Sequence, residues 1–311
     1  MKNILTLGEP LLINYLEDNL SKGICNSKFC FGGSEFNTAI SLKKLGCNPI
    51  IISSIPYDNL GVSLNNILAS LDIETKFIIQ DDEHSIGSMY VFQDDVIYYR
   101  KNSAFSKINI DDYDFNNIYN YKLDWLHLTG ITPMLSVRTK NFWEHLIVDC
   151  VSKKIPISID LNYRPKLGTF DYLWNLVKKY VENIYLIIFS ISDLIKICNS
   201  ENLEYKNGDI GNILTSVCLK YNLNMGIVCV KTKKNIGDIQ CRNSYMYYNQ
   251  QVYTSDMKEH EPKEDIGGGD SYIACIINGL LESNPDMKCI LDKADMFTIK
   301  KQENRGNFNL S

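Results

Sequence analysis

The sequence predicts an α/β fold: a doubly wound, mostly parallel sheet with helices on both faces and a small β-lid. One observation predicts the body, because apolar strand segments alternate with helical segments along most of the chain. Such repeated strand–helix units are typical of parallel sheets covered by helices. A second observation predicts the lid, because β-rich segments at 75–80 and 88–100 interrupt the alternation and suggest a small sheet standing off the body.

The composition is that of one globular domain. The chain has 311 residues, of which 45% are hydrophobic and 22% are charged, and it is long enough to bury a large core. The net charge of −5 provides no footprint for nucleic acid, and no apolar run reaches the length of a membrane span. Ten cysteines are scattered without a C-x-x-C pair, which favours reduced thiols in a cytoplasmic protein over structural zinc.

The first elements follow from short apolar runs and the residues that interrupt them. The predicted order is a strand at 2–7, a helix at 36–45, a strand at 49–55, a helix at 61–71, and then the lid segments. Gly46 is predicted to end the first helix, because glycine adopts the left-handed C-cap conformation without a steric penalty. Asp94 and Asp95 are predicted to form a turn within the second lid segment.

The remaining chain returns to strand–helix alternation. Strands are predicted at 125–128, 155–161, 184–189 and 225–231, and helices at 133–152, 172–182, 193–198 and 210–221. A hairpin at 240–248 and 250–254 precedes a glycine segment and a helix at 271–281. Ligands of such sheets bind beyond the carboxyl ends of the strands, where we expect these polar sets: Gly32-Gly33-Ser34-Glu35, Thr129-Gly130, Asn162 with Arg164, and Asp270.

The segment Gly267-Gly268-Gly269-Asp270 is the strongest functional signal. A glycine run that enters a helix leaves backbone N–H groups uncrowded at the positive end of the helix dipole, which suits a phosphate. An aspartate beside that anion can accept a proton from an attacking hydroxyl. From these residues alone, a second interpretation is equally open, in which Asp270 or Ser271 only caps the helix.

With these elements placed, the chain resembles the ribokinase-like (PfkB) family of sugar kinases over nearly its whole length. The N-terminal family motif, two glycines followed by an asparagine, matches Gly32-Gly33 and Asn37. The C-terminal signature Gly-x-Gly-Asp matches 267–270. The two motifs occur in the expected order and separation.

Within this family the chain most resembles the 2-keto-3-deoxygluconate kinases. The triple glycine is typical of that branch, and so are the D-x-N-x-R segment at 160–164 and the Y-x-R…S-A segment at 98–104. The ending at 307–310 resembles the G-D-F-N-L ending of the branch.

The resemblance implies one ribokinase-like domain over 1–311, with a lid built from parts of about 10–31 and 75–105. It also implies ATP and Mg²⁺ as cofactors and a hydroxyl of a small sugar acid as the phosphoryl acceptor. Asp270 would be the catalytic base, and the N–H groups of 267–269 would stabilise the transferring phosphoryl. The implied sugar contacts are Gly33, Asn37, Tyr90, Tyr98, Arg100 and Arg164. An arginine is the side chain expected for a carboxylate substrate.

The nucleotide side departs from the family pattern. Ser190 to Asp193 stands where the family has Asn-x-x-Glu, so Asp193 would contribute only indirectly to the metal. The nucleotide contacts implied by position are Ser190, Lys231, Lys233, Asn235, Gly267 and Gly269. The helix predicted at 293–301 carries charged residues where small apolar ones are expected under the adenine.

Two alternatives to a sugar-acid kinase stay open. One is a neutral-sugar kinase of the fructokinase or ribokinase type, and convergence of Arg100 and Arg164 in one pocket would count against it. The other is a divergent relative that binds a small ligand with little or no kinase activity. The resemblance also predicts a homodimer or larger oligomer that pairs through the lid, with no nucleic-acid or membrane partner.

Overall fold

The computed structural model describes residues 1–16, 26–92, 95–206, 208–233, 239–263 and 266–303, with the backbone alone at 230–233. Its strands are β1 Asn3–Leu7, β2 Leu11–Leu16, β3 Ser27–Gly32, β4 Asn48–Pro56, β5 Ile78–Asp81, β6 Gly87–Val91, β7 Val96–Tyr99, β8 Trp125–Thr129, β9 Ile157–Asp160, β10 Leu186–Phe189, β11 Met225–Lys233, β12 Gln240–Tyr248, β13 Gln251–Thr254 and β14 Lys258–His260. Its helices are α1 Ser34–Lys44, α2 Asn59–Ser70, α3 Phe115–Tyr119, α4 Val137–Ser152, α5 Phe170–Lys178, α6 Ile191–Ser200, α7 Ile210–Lys220, α8 Gly268–Leu280 and α9 Met287–Gln302.

The main sheet has ten strands, nine of them in the order β13-β12-β11-β10-β9-β8-β1-β4-β5, while β14 pairs with β12 beside β13. The pairs from β5 to β11 are all parallel, whereas β12 runs antiparallel to β11, β13 and β14. The chain extends outward from β1 in one direction and then from β8 in the other. This reversal confirms the doubly wound, mostly parallel α/β sheet predicted from the sequence.

Helices cover both faces of this sheet. One buried cluster joins strand residues such as Leu5 and Leu126 to the inner faces of α4, α5, α6 and α7. The other joins the neighbouring strand residues Ile4 and Trp125 to α8 and α9. Successive side chains of a strand point to opposite faces, so each central strand serves both clusters and reads as a continuous apolar run.

The lid is a separate four-stranded sheet in the order β3-β2-β6-β7. The predicted segment at 75–80 does not contribute to it, because β5 pairs in parallel with β4 at the edge of the main sheet. A short apolar run alone does not specify which sheet edge it will join. The observed lid strands therefore come from 11–16, 27–32, 87–91 and 96–99, and Asp94 lies outside the described residues.

The turns at the ends of helices and strands fall at residues that tolerate a positive φ. Gly46 follows α1 with a φ of 84°, which confirms its expected left-handed conformation. Asn249 and Gln250 take positive φ values of 49° and 60° in the hairpin turn between β12 and β13. None of the helices in the described ranges has the length and apolar character that a membrane span requires.

Candidate active site

The candidate site lies where the strand order reverses. The carboxyl ends of β1 and β8 are adjacent in the sheet, and open α/β sheets bind ligands at such a reversal. Glu9 follows β1, Thr129 ends β8, and Asp160 ends the next strand, β9. The N-terminal turns of α1 and α8 meet at this edge through side chains that contact each other.

Asp270 lies in the first turn of α8, and its carboxylate is held by α1. The Ser34 hydroxyl donates to Oδ1 at 2.6 Å, and Asn37 Nδ2 donates to Oδ2 at 2.7 Å. The N-cap of α8 is Gly267, which has no side chain with which to cap the helix. The helix-cap interpretation is therefore wrong, because the Asp270 carboxylate bonds to another element and not to its own helix.

The surroundings of Asp270 set its protonation through opposing effects. Burial raises the pKa of Asp270, whereas the hydrogen bonds from Ser34 and Asn37 lower it. The positive charges of Arg164 and Lys301 also lower this pKa. A buried carboxylate that is supported by donors and cations is suited to accept a proton.

The three glycines before Asp270 differ in backbone conformation and in the space around them. Gly267 takes a left-handed φ of 76°, which favours glycine. A Cβ on Gly268 would lie 3.0 Å from Gln302 Nε2, whereas a Cβ on Gly269 would meet nothing within 4 Å. The backbone conformation thus favours glycine at 267, a side chain at 268 would crowd Gln302, and Gly269 leaves open space in front of the helix N-terminus.

Gly33 and Asn37, which the resemblance implies as substrate contacts, each have a structural role in the protein itself. Gly33 has a φ of 124°, and a Cβ there would lie 2.3 Å from the backbone oxygen of Glu9. This glycine therefore allows the chain that enters the lid to pass close to α1. Asn37 is buried, and its amide is used by Asp270.

Glu35 is a buried carboxyl beside the site, which the sequence analysis named only as a member of the polar set 32–35 and to which it assigned no role. It is 2% exposed, and its Oε1 accepts from Thr129 Oγ1 at 2.6 Å and Thr132 Oγ1 at 2.9 Å. Burial raises the pKa of Glu35 to about 7, against the lowering effect of these hydrogen bonds, and the charge of Asp270 adds to the rise. Its position two residues after the glycine pair was the only sequence signal.

The D-x-N-x-R segment lies beside Asp270. Asn162, with a φ of 40°, donates from Nδ2 to Ser34 Oγ at 3.0 Å, and its backbone N–H donates to Asp160 at 3.1 Å. Desolvation and the charge of Asp270 raise the pKa of Asp160 to about 8, against the opposing charge of Arg164. The segment therefore joins a second carboxyl and a cation to the Asp270 cluster.

Three cavities surround this cluster. A cavity of about 390 Å³ is lined by Gly269, Asp160, Asp193, Lys196 and Arg164, among others. Arg164 also lines a lid-side cavity of about 600 Å³ together with Tyr98 and Lys166. Tyr98 and Lys166 in turn line a third cavity, of about 680 Å³, that contains Arg100. The lid-side cavity thus shares lining residues with each of the other two, and Arg164 lies where the helix side meets the lid side.

Arg100 and Arg164 do not share any of these three cavities. The guanidinium of Arg100 is paired with buried Glu9, with Nε at 2.6 Å from Oε2 and Nη2 in close contact. The Ser103 hydroxyl binds the other oxygen of Glu9. Arg164 is exposed, and in the described part of the chain it makes no ion pair. Of these two arginines, Arg164 is therefore the one with capacity for an anionic ligand.

Tyr90 and Tyr98 project from opposite faces of the lid. The strand register places Tyr98 opposite Met89 and Tyr90 opposite Ile97. Tyr98 packs in the apolar cluster that includes Ile266, next to the glycine segment. Tyr90 packs edge-to-face on Tyr99 instead. The structure thus brings Tyr98, and not Tyr90, to the face nearer Asp270.

On the nucleotide side, Ser190 and Asp193 cap α6 reciprocally. Asp193 N–H donates to Ser190 Oγ at 3.1 Å, and Ser190 N–H donates to Asp193 Oδ2 at 2.9 Å, which is a capping box. Both residues still line the cavity that contains Gly269. The side chains of Lys231 and Lys233 and the whole of Asn235 lie outside the described residues.

A buried ion pair lies under the nucleotide side. Asp295 of α9, which is fully buried, accepts from Arg242 Nε at 2.9 Å and from the hydroxyls of Ser244 and Ser255 at 2.9 and 2.6 Å. Arg242 also lines the cavity with Gly269. Asp295 is one of the charged residues noted in the sequence of the last helix, and its carboxylate is thus fully hydrogen-bonded to side chains on and next to β12.

The carboxyls of this cavity suit a magnesium ion that is bound mainly through phosphates. Within the described ranges, no group of three or more His, Cys, Asp or Glu side chains is arranged to hold a metal. Mg²⁺ commonly keeps several waters and takes one or two carboxylates plus substrate phosphates. Asp160 and Asp193, both on the cavity wall, provide that number.

Comparisons with known proteins agree with this geometry. The family model described as pfkB family carbohydrate kinase matches residues 11–216. The chain is 31% identical over 176 residues to the 2-dehydro-3-deoxygluconokinase of Bacillus subtilis, covering 52% of each chain; it thus aligns with about half of that relative's length.

Two solved structures share the fold. The 2-dehydro-3-deoxygluconokinase of Thermotoga maritima superposes with a TM-score of 0.89 at 23% identity, covering 100% of this chain and 97% of that one. A sugar kinase of Pyrococcus horikoshii, solved in complex with ATP, superposes with a TM-score of 0.78 at 16% identity, covering 98% and 94%.

Fold and site together define a protein of the sugar-kinase type. The chain belongs to the pfkB family of carbohydrate kinases, and the resemblance drawn from its motifs is confirmed. Relatives in this family are phosphotransferases by name.

Proposed function

We propose that this protein transfers the γ-phosphoryl group of ATP to a hydroxyl of a small sugar acid, with 2-keto-3-deoxygluconate as the preferred acceptor. The observation that carries the proposal is the Asp270 carboxylate, which α1 holds through Ser34 and Asn37 at the entrance of the glycine segment. The names of the Bacillus and Thermotoga relatives support the choice of sugar acid, because 2-dehydro-3-deoxygluconate is the same compound.

In this proposal Asp270 accepts the proton of the sugar hydroxyl as that oxygen attacks the γ-phosphorus. The backbone N–H groups of 267–269 face the phosphoryl oxygens and stabilise their charge. Asp160 and Asp193 on the cavity wall would hold a Mg²⁺ ion, which would supply charge neutralisation on the phosphates. Most of the rate enhancement then comes from positioning and electrostatics, since the residues form no covalent bond to the substrate.

The substrate carboxylate is assigned to Arg164. This guanidinium is exposed between the helix-side and lid-side cavities, and a planar fork suits a carboxylate. Tyr98 lines the same lid-side cavity. Arg100 is not assigned to the substrate carboxylate, because its Nε and Nη2 bind Glu9. Tyr90 is assigned no substrate contact, because it packs on Tyr99.

One observation favours a second candidate, a neutral-sugar kinase. The pairing of Arg100 with Glu9 leaves a single unpaired arginine at the described site, where the sugar-acid proposal started from two. A cavity with one unpaired arginine can also hold a neutral sugar that binds through its hydroxyls.

The test is ATP consumption by the purified protein with Mg²⁺ and each of four acceptors: 2-keto-3-deoxygluconate, fructose, ribose and adenosine. Asp270→Asn is compared with Asp171→Asn, whose side chain is exposed in the first turn of α5. We expect turnover on the sugar acid, a fall of about 10²–10⁴-fold or more in Asp270→Asn, and no change in the control. Turnover on a neutral sugar alone would support the second candidate. A protein that neither turns over any acceptor nor binds ATP would be a ligand-binding relative.

A homodimer that pairs through the lid is also proposed. The exposed lid aromatics Phe29 and Tyr99, at 66% and 64% exposure, support it, because large exposed apolar side chains on a sheet favour association. Sedimentation of the protein, compared with a Phe29→Ser, Tyr99→Ser double variant, tests this: a monomeric wild type would contradict it.

A further inference from the structure

The last turn of α9 lies directly behind the glycine segment. Lys301 is only 5% exposed, and its ammonium donates a hydrogen bond to the backbone oxygen of Ile266. Ile266 immediately precedes Gly267, the left-handed N-cap of α8. A cation brought by a distant helix therefore contacts the peptide from which the glycine segment starts.

The next residue of α9 supports the same segment from a second side. The amide of Gln302 packs against Gly268, where a Cβ would come within 3.0 Å of Nε2. Gln302 Oε1 lies 2.9 Å from His260 Nε2, and its backbone oxygen accepts from Lys263 N–H at 2.9 Å. The turn is thus anchored to the chain on both sides of residues 264–265, which lie outside the described ranges.

Lys301 also acts on Asp270 through its charge. Among the described charged groups near Asp270, Arg164 and Lys301 lower the pKa of this carboxyl, while Glu35 and Asp160 are the neighbouring acids coupled to it. Arg164 has the larger of these two effects, and buried Lys301, which lies behind the glycine segment, adds to it. Burying an ammonium is costly unless it is bonded, and the Ile266 carbonyl provides such a bond.

We propose that Lys301 is a positioning residue whose buried ammonium fixes the Ile266 carbonyl, aligns the N–H groups of 267–269 and stabilises negative charge on Asp270. The expected effect on kcat rests on the proposed function, whereas the expected effect on the titration of Asp270 does not. Lys301 touches neither substrate in this account; it acts through the glycine segment and through Asp270.

The test compares Lys301→Met with Lys300→Met, which removes an exposed lysine one residue earlier on the same helix. The first readout needs no turnover: the Asp270 carboxyl is titrated by ¹³C NMR, with its signal assigned by its loss in Asp270→Asn. We expect the titration midpoint to move to higher pH in Lys301→Met and to stay at the wild-type value in Lys300→Met. An unchanged midpoint in Lys301→Met would overturn the proposal.

The second readout is kinetic. We expect kcat of Lys301→Met to fall about 10- to 100-fold, as for a small misplacement of reacting groups, with the acidic limb of the pH profile moved upward and the KM for the sugar unchanged. A loss confined to the sugar KM would contradict a positioning role. Failure of wild-type turnover on every acceptor would refute the proposed function, and the NMR titration would still decide the role of Lys301.

A third variant separates the hydrogen bond from the charge and carries the test if Lys301→Met does not fold. Lys301→Gln retains a donor for the Ile266 carbonyl but removes the charge. We expect it to recover part of kcat while its Asp270 midpoint stays displaced. If Lys301→Gln matched the wild type in both readouts, the ammonium would have no role in positioning.

Discussion

Ser34 illustrates how a single hydroxyl can tune the proposed base. It donates to Asp270 Oδ1 at 2.6 Å and accepts from Asn162 Nδ2 at 3.0 Å, so it links α1, the loop after β9 and α8. Its hydrogen bond lowers the pKa of Asp270. The family motif pointed to Asn37 in this helix, while Ser34, which shares the same carboxylate, carried no comparable signal.

Replacing Ser34 by alanine is expected to raise the pKa of Asp270, because the carboxylate loses a donor. A base with a higher pKa is protonated over a wider acidic range. The acidic limb of the kcat/KM profile should therefore move to higher pH, while activity well above that limb changes less. The profile of Ser63→Ala, an exposed hydroxyl on α2, should coincide with the wild type; coincidence of all three would contradict the role of Ser34.

Glu35 leads to a prediction about stability. Its pKa is raised from 4.5 to about 7 in the folded protein, so folding favours the protonated form. Its contribution is fully present below pH 4.5 and is lost as the pH rises through about 7. Compared with Glu35→Gln, the wild type should lose about 3 kcal/mol of unfolding free energy between pH 4.5 and 8.

Urea denaturation of both proteins across this pH range measures that difference. Glu182→Gln, in which an exposed carboxyl is removed, should track the wild type at every pH. A constant difference between wild type and Glu35→Gln would show that folding does not raise the pKa of Glu35.

At the scale of elements, the N-terminal turn of α8 contains a position, Gly269, where a substitution should affect ligand binding without disturbing the fold. Gly269 lines the helix-side cavity, and a Cβ there would meet nothing within 4 Å. Alanine should therefore be accommodated by the fold and even stabilise the helix by about 0.5–1 kcal/mol. Its methyl group would nonetheless enter the space assigned to the phosphates.

We expect Gly269→Ala to keep or raise the melting temperature while the KM for ATP increases. Gly211→Ala is the matched control, since Gly211 also lies in the first helical turn, of α7, and its Cβ would make only ordinary contacts of 3.5 Å or more. An unchanged KM for ATP in Gly269→Ala would place the phosphates elsewhere.

The two arginines of the motifs also differ at this scale. Arg100 follows the last lid strand and pairs with Glu9, which precedes the first one. The pair therefore joins the two points where the chain enters and leaves the lid. The Y-x-R segment pointed to Arg100 as a sugar contact, but it did not reveal that the partner of Arg100 is a carboxylate 91 residues away.

At the scale of the whole molecule, lid and body also meet through Lys166. Its ammonium lies 2.8 Å from Asp95 and contacts the backbone oxygen of Val96, on the lid side of the cavities. Both side chains are more than half exposed, at 56% and 62%, and such pairs contribute about 0–1 kcal/mol to stability. The contact can hold the lid near the body without adding much to folding.

Lys166→Met is therefore expected to leave the melting temperature nearly unchanged while the KM for the sugar rises several-fold. A looser lid should also admit water, so ATP hydrolysis without sugar should increase relative to phosphoryl transfer. Lys179→Met, in which a similarly exposed lysine is removed from the far end of α5, serves as control. Equal sugar KM values in wild type and both variants would show that the lid does not depend on this contact.

The sequence by itself determined the class of fold and the identity of the glycine segment. Both depend on local patterns: apolar runs and glycines reflect the period of each element and the φ values that only glycine tolerates, as at Gly46 and Gly267. The family followed from two such motifs in order.

Only the tertiary structure decided which side chains meet. It showed that Asn37 binds Asp270 and that Arg100 pairs with Glu9. It placed β5 in the main sheet and Tyr90 and Tyr98 on opposite faces of the lid. It also placed Lys301 behind the glycine segment. These contacts join residues far apart in the chain, and no local propensity encodes them. They depend on the packing of α1, α8 and α9 at one edge of a sheet, where burial makes each charge require a partner.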